Sequence, residues 1–100
     1  LLDRLAELPV DGLGIDFYAT SLEAVPERLD KLVLAGVVDG RGSLLEDPRE
    51  IAQFARRLGE RVERIALTPN GDLQFVSESV AREKVARLGR AKTAPVEEAA

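Results

Sequence analysis

The chain contains no cysteine and no histidine. Without cysteine it has no disulfides and no thiolate ligands for a metal. Without histidine it loses the commonest metal ligand and the commonest general base at neutral pH. No apolar stretch approaches the roughly 18 residues of a membrane span, and no charged-then-apolar leader precedes a cleavage site. The sequence therefore reads as cytoplasmic, with no membrane partner. Clustered basic charge is lacking too. Fourteen Lys and Arg against 18 Asp and Glu leave a net charge of −4, and the basic residues are interleaved with acids along helices. Nucleic-acid binding needs clustered Lys and Arg to displace counterions, so no nucleic-acid partner is expected.

The familiar chemical signatures are missing as well: no phosphate loop of recognised spacing, no Ser-His-Asp set, no metal cluster. Asp11-Gly12-Leu13-Gly14 superficially suggests a dinucleotide motif, but it precedes a strand where such a motif must follow one. Nor does the chain begin with methionine. Leu1, Leu5 and Leu8 lie on one helical face with no capping residue ahead of them. The opening reads as the middle of an amphipathic helix, and hence the chain as the C-terminal piece of something longer.

What is present is a short, strongly patterned α/β sequence. One hundred residues, 45% hydrophobic and 32% charged, make one small domain at most. From Leu32 to Asp39 every residue but the last is apolar or glycine, and the run closes on Asp39-Gly40-Arg41-Gly42. A short β-branched run of this kind reads as a strand buried on both faces of a parallel sheet. Leu13 to Tyr18 alternates as a strand, and Ile65 to Thr68 is a third, ending in the turn Pro69-Asn70-Gly71-Asp72.

Between them lie helical segments. The first runs to about Glu7 and stops at Pro9. Leu22 to Val25 follows a Thr20 or Ser21 cap, with a second short turn expected from Pro26 to Asp30. Asp47 caps a helix with Pro48 at N1, a capping box completed by Glu50, a stripe of Ile51, Phe54, Ala55 and Leu58, and Gly59 as its stop. Ser77 or Ser79 starts a last helix with a core stripe of Ala81, Val85 and Leu88, ending near Gly89. Alternation of strands and helices means a parallel sheet. Three β/α units amount to three eighths of a (β/α)8 barrel, which needs roughly 250 residues.

Parallel strands gather their C-terminal ends on one rim, where barrel enzymes keep their sites. The candidates there are Asp16, Tyr18 and Thr20, then Asp39, Arg41 and Ser43, then Thr68, Asn70 and Asp72. Asp16 on an otherwise apolar strand is costly unless bonded or at the strand's end, so it is either a site residue or a carboxylate bound to nearby backbone. Arg41 could grip a substrate carboxylate or phosphate bidentately, or pair with Asp39 or Asp16 and hold the rim together.

Three segments carry a family resemblance: Leu8 to Phe17, Leu34 to Arg41 and Pro69 to Val76. In this order and spacing they resemble cobalamin-independent methionine synthase, specifically the last three β/α units of one barrel, closer to its N-terminal barrel or to a single-barrel relative. The resemblance implies that residues 1–90 are the C-terminal part of a TIM (β/α)8 barrel and 91–100 a flexible tail. It implies a methyltransferase, inactive as this piece alone, that moves a methyl group from 5-methyltetrahydrofolate or a related donor to the thiol of homocysteine.

Asp39, Arg41 and Asn70 then stand where substrate binds. Zinc is the family's cofactor, and Asp16 falls on its Glu ligand position. Gly71 falls on the position of its Cys ligand, which leaves no thiolate there. The alternatives are a family barrel that binds or supports without catalysis, and a uroporphyrinogen-decarboxylase-like relative using a methylated corrinoid.

Overall fold

The computed structural model of the chain describes residues 2–93. Its centre is the apolar run read above: β2 spans Leu29–Val38, flanked by β1 (Gly12–Asp16) and β3 (Val62–Pro69). All pairing is parallel, in the order β1-β2-β3. Helix α1 (Leu2–Ala6) precedes β1, α2 (Pro48–Gly59) joins β2 to β3, and α3 (Glu78–Thr93) follows β3. The chain is thus an α/β unit with three parallel strands alternating with helical segments, a portion of a TIM barrel.

Register divides the sheet into two unlike faces. Ile15, Ala35 and Leu67 are cross-strand partners, as are Leu13, Val33 and Ile65. These side chains join one apolar cluster with Ile51 and Leu58 of α2 and Leu88 and Ala91 of α3. Val33, Ala35 and Leu58 are fully buried. The alternate rows, Gly14-Leu34-Ala66 and Asp16-Gly36-Thr68, are small or polar apart from Leu34, which is 40% exposed. Burial of the first set, at about 25 cal/mol per Å² of apolar surface, is what orders the sheet and its helices.

Helix α2 starts at the expected place: Asp47 is extended and its carboxylate accepts from Arg49 N at 2.9 Å, with Pro48 in the first turn. The Glu50 side chain makes none of the expected capping-box bonds among the described residues. Its outer residues Arg49, Gln53, Arg56 and Arg57 are exposed.

Several local expectations are corrected. Strand β2 begins three residues earlier than its apolar run, displacing the turn expected at Pro26 to Asp30. The first crossover holds a single 3-10 turn, Leu22–Ala24. Val25, before Pro26, is extended at φ −76°, ψ 127°, as proline's ring requires of its predecessor. Arg28 then turns the chain with a left-handed φ of 59°.

Helix α2 ends at Gly59 as expected, but without a left-handed cap, and α3 runs straight through Gly89. No glycine among the described residues takes a positive φ, so both behave as ordinary helical residues. Helix α3 therefore runs on to Thr93, and Ala91 is buried against the sheet. Residues 91–93 of the expected tail are helical, and residues 94–100 lie outside the described ones. The face α3 buries is also different. Lys84, Leu88 and Ala91, at i, i+4 and i+7, are the buried set, while Val85 is 54% exposed.

Candidate functional site

At the C-terminal ends of the strands three side chains meet. The Asn70 amide, just beyond β3, donates from Nδ2 to Asp16 Oδ1 at 3.3 Å and to Asp39 Oδ1 at 3.2 Å. Its Oδ1 accepts from Gly40 N at 2.9 Å. One amide thus bridges the ends of all three strands. The carboxylates also cap local backbone: Asp16 Oδ1 accepts from Tyr18 N (2.9 Å), and Asp39 Oδ1 from Arg41 N (3.1 Å). These are Asx turns, in which a short side chain takes the place of a backbone acceptor.

The close approach depends on two glycines. A Cβ on Gly36 would sit 2.9 Å from Asn70 Cα and 3.0 Å from Ile15 O, and one on Gly40 would collide with Asp72 O.

Of the expected rim residues, Asp16, Asp39 and Asn70 are brought together and Arg41 leaves the cluster from its edge. The Arg41 guanidinium has no hydrogen-bond or ion-pair partner among the described residues, and its side chain is exposed. It does not pair with Asp39 or Asp16. Asp72 turns away and bonds Gln74 N and Nε2, both at 3.4 Å. Thr68 Oγ1 donates to the neighbouring Pro69 O. Thr20 reaches Asp16 through backbone alone.

A second polar group stands behind the first. Glu46, in the loop between β2 and α2, accepts at Oε2 from Asp39 N (2.9 Å) and from the Tyr18 hydroxyl (2.7 Å). At Oε1 it accepts from Lys84 Nζ (3.0 Å), which also donates to Leu44 O (2.6 Å). Arg87 donates to Glu46 O at 3.0 Å.

Burial alone would raise the Glu46 carboxyl, but the bonds from Asp39 N, Tyr18 and Lys84 outweigh it and hold the group below the usual carboxylate range. Tyr18 is pushed well above its ordinary value, first by burial, then by the hydrogen bond to Glu46 and the charges of Glu46 and Asp39. The phenol therefore stays a donor.

Neither Glu46 nor Lys84 was among the sequence candidates. Glu46 was legible only as part of a helix start. Lys84 has the spacing of the buried stripe, and only its charge argued against it.

The cluster does not fit a zinc centre by itself. The Asn70 N–H donors occupy Asp16 Oδ1 and Asp39 Oδ1, positions that a cation held by those same oxygens would contest. A Cβ at Gly71 would meet nothing within 4 Å beyond its two chain neighbours, and Gly71 itself offers no side-chain ligand. Among the described residues no three acidic, histidine or cysteine side chains are grouped to hold a metal. No helix among them is long and apolar enough to cross a membrane.

No family model matches the chain. It is 36% identical, over 80 residues, to the 5-methyltetrahydropteroyltriglutamate–homocysteine methyltransferase of Streptococcus agalactiae, aligning 75% of this chain with 11% of that protein. The enzyme of the same name from Halalkalibacterium halodurans is 34% identical over 92 residues, 82% of this chain and 12% of that protein. That of Mycobacterium tuberculosis is 49% identical over 43 residues, covering 40% and 6%. The chain therefore spans a small part of the length of the curated relatives it matches. Among solved structures, a B12-independent methionine synthase from Shewanella sp. W3-18-1, in complex with selenomethionine, superimposes with a TM-score of 0.73. It covers 93% of this chain and 29% of that one at 22% identity, a likeness of fold.

Proposed function

We propose, from a chain that belongs to the cobalamin-independent methionine synthase family, that these residues supply one rim segment of a methyltransferase acting on small molecules in the cytoplasm. The whole protein moves a methyl group from a 5-methyltetrahydrofolate-type donor to the thiol of homocysteine. Asp39, Arg41 and Asn70 contact substrate. Asp39 and Asn70 present a carboxylate and an amide held in place by each other, and Arg41 supplies a fixed cation for a carboxylate on either substrate.

The observation that carries this reading is the Asn70 bridge between Asp16 and Asp39. It fixes polar groups from three strands at the end of the sheet where barrels keep their sites. An uncommitted guanidinium stands beside it.

The test is transfer of labelled methyl to homocysteine by the whole protein, with 5-methyltetrahydrofolate, its polyglutamates and a methylated corrinoid as donors. Transfer that falls by about tenfold or more in Arg41→Ala, as expected for a lost charge-assisted bond, supports the reading. No transfer with any donor ends it.

A second reading, a family barrel that binds or supports without catalysis, is favoured by Gly71 and by the poor fit of the cluster to zinc. Metal analysis of the whole protein separates the two: stoichiometric zinc lost on Asp16→Ala contradicts the second.

A further inference from the structure

The loop from Asp39 to Asp47 carries Arg41 and one of the three cluster residues, Asp39, yet it has almost no hydrophobic anchor. Leu44 is 80% exposed, and Leu45, half-buried, is not among the side chains packed on the core. What fixes the loop is polar and comes from far along the chain. Lys84, on α3, is completely buried, and Glu46 is 11% exposed. Lys84 Nζ holds Leu44 O and Glu46 Oε1, Arg87 holds Glu46 O, and Glu46 Oε2 holds Asp39 N and Tyr18.

Burying a lysine and a glutamate is costly, and apolar replacements of both are commonly neutral or stabilising. Ordinary packing would serve the fold as well. The pair's distinctive effect is geometric, because it sets the place of one loop to the length of two side chains.

We propose that Lys84 and Glu46 are positioning residues for the rim. Their buried pair, seated on α3, sets the backbone at Asp39 through Arg41, so that Arg41 leaves the cluster in one direction. The pair touches no substrate. The proposal rests on the reading of Asp39, Arg41 and Asn70 as a binding rim, and it concerns what holds that rim in register.

The experiment compares the whole protein with Lys84→Met/Glu46→Leu, which removes both charges at once, and with Glu46→Gln, which keeps an acceptor oxygen. Two quantities are read: amide hydrogen exchange in peptides covering 39–46 and 32–38, and affinity for homocysteine. In the double variant, exchange over 39–46 should rise about tenfold or more while β2 keeps wild-type protection, the behaviour of a locally released segment. Homocysteine affinity should fall by about tenfold, as expected for losing a pre-set geometry. Glu46→Gln should show a smaller rise over the same peptide.

Unchanged exchange over 39–46 overturns the proposal. So does a rise shared equally by 32–38, which makes the pair a general packing element. If the double variant fails to fold, Glu46→Gln decides: wild-type exchange over 39–46 overturns the proposal, a selective rise supports it. Loosening of 39–46 with no effect on affinity, in the double variant or in Arg41→Ala, upholds the positioning and sinks the binding reading instead.

Discussion

The two ends of the sheet differ in what ties down their backbone, although Lys84 and Arg87 also reach carbonyls behind the C-terminal end. At the N-terminal end, basic side chains reach backbone carbonyls. Lys31 Nζ donates to Leu8 O and Val10 O at 2.8 and 2.7 Å, Arg61 to Val25 O at 2.9 Å, and Arg64 to Asp30 O at 3.2 Å. At the C-terminal end, acceptor side chains receive backbone N–H groups. Asp16 takes Tyr18 N, Glu46 takes Asp39 N, Asn70 takes Gly40 N and Asp39 takes Arg41 N.

The first set consists of long, flexible arms whose heads stay near water. The second consists of short side chains linked to one another across three strands, backed by a buried lysine. One end closes the fold. The other fixes a set of groups in space, which is how barrels divide stability from function.

That contrast can be broken from either side. The largest effect is expected from removing the buried cation. Lys84→Ala leaves Glu46 buried without its counter-charge and should cost about 3 kcal/mol in denaturant unfolding. Lys31→Ala, at the opposite end, removes exposed hydrogen bonds and should cost about 1 kcal/mol or less. Equal losses would erase the distinction between the two ends.

Next are two glycines on the same row-facing side of the sheet. Gly36→Ala drives a methyl against Asn70 and should cost about 1–3 kcal/mol, with weakened substrate affinity. Gly14→Ala meets nothing within 4 Å and should stay within about 0.5 kcal/mol of wild type.

Acid should act on the C-terminal end selectively. The Glu46 carboxyl is held below its ordinary value of 4.5. Its contribution is therefore complete above that value and is lost as pH falls through the lower, folded value. Stability measured from pH 5 downward should drop less steeply in Glu46→Gln than in wild type; parallel curves would refute the assignment. The smallest effect is expected at the Arg57–Glu23 pair, 3.4 Å apart with both side chains more than 60% exposed. A double-mutant cycle there should give about 0.5 kcal/mol or less.

What the sequence disclosed, and what it withheld, follows the range of the interactions involved. Strand β2 was visible because seven consecutive apolar or glycine residues can be buried on both faces only in a covered sheet. The start of α2 was visible because Asp47-Pro48 acts within a single turn. The rim could be anticipated because parallel strands must end together, and Asp16, Asp39 and Asn70 do meet there.

The Lys84–Glu46 pair was not visible. Its partners are 38 residues apart, and helical spacing that suits the buried face does not by itself show which lysine has a buried partner. Asp72 looked equivalent to Asn70 by composition, but it is absorbed by Gln74 in its own turn. Helix α3 outran Gly89 because packing of Leu88 and Ala91 outweighs the modest cost of a helical glycine, about 1 kcal/mol.

The most direct measurement is a crystal structure of the whole protein at a resolution that fixes the Asn70 amide. The account predicts β1, β2 and β3 parallel, with Asn70 Nδ2 in hydrogen-bond reach of both Asp16 and Asp39. An antiparallel neighbour to β2, or an Asn70 side chain turned away from both carboxylates, would contradict it.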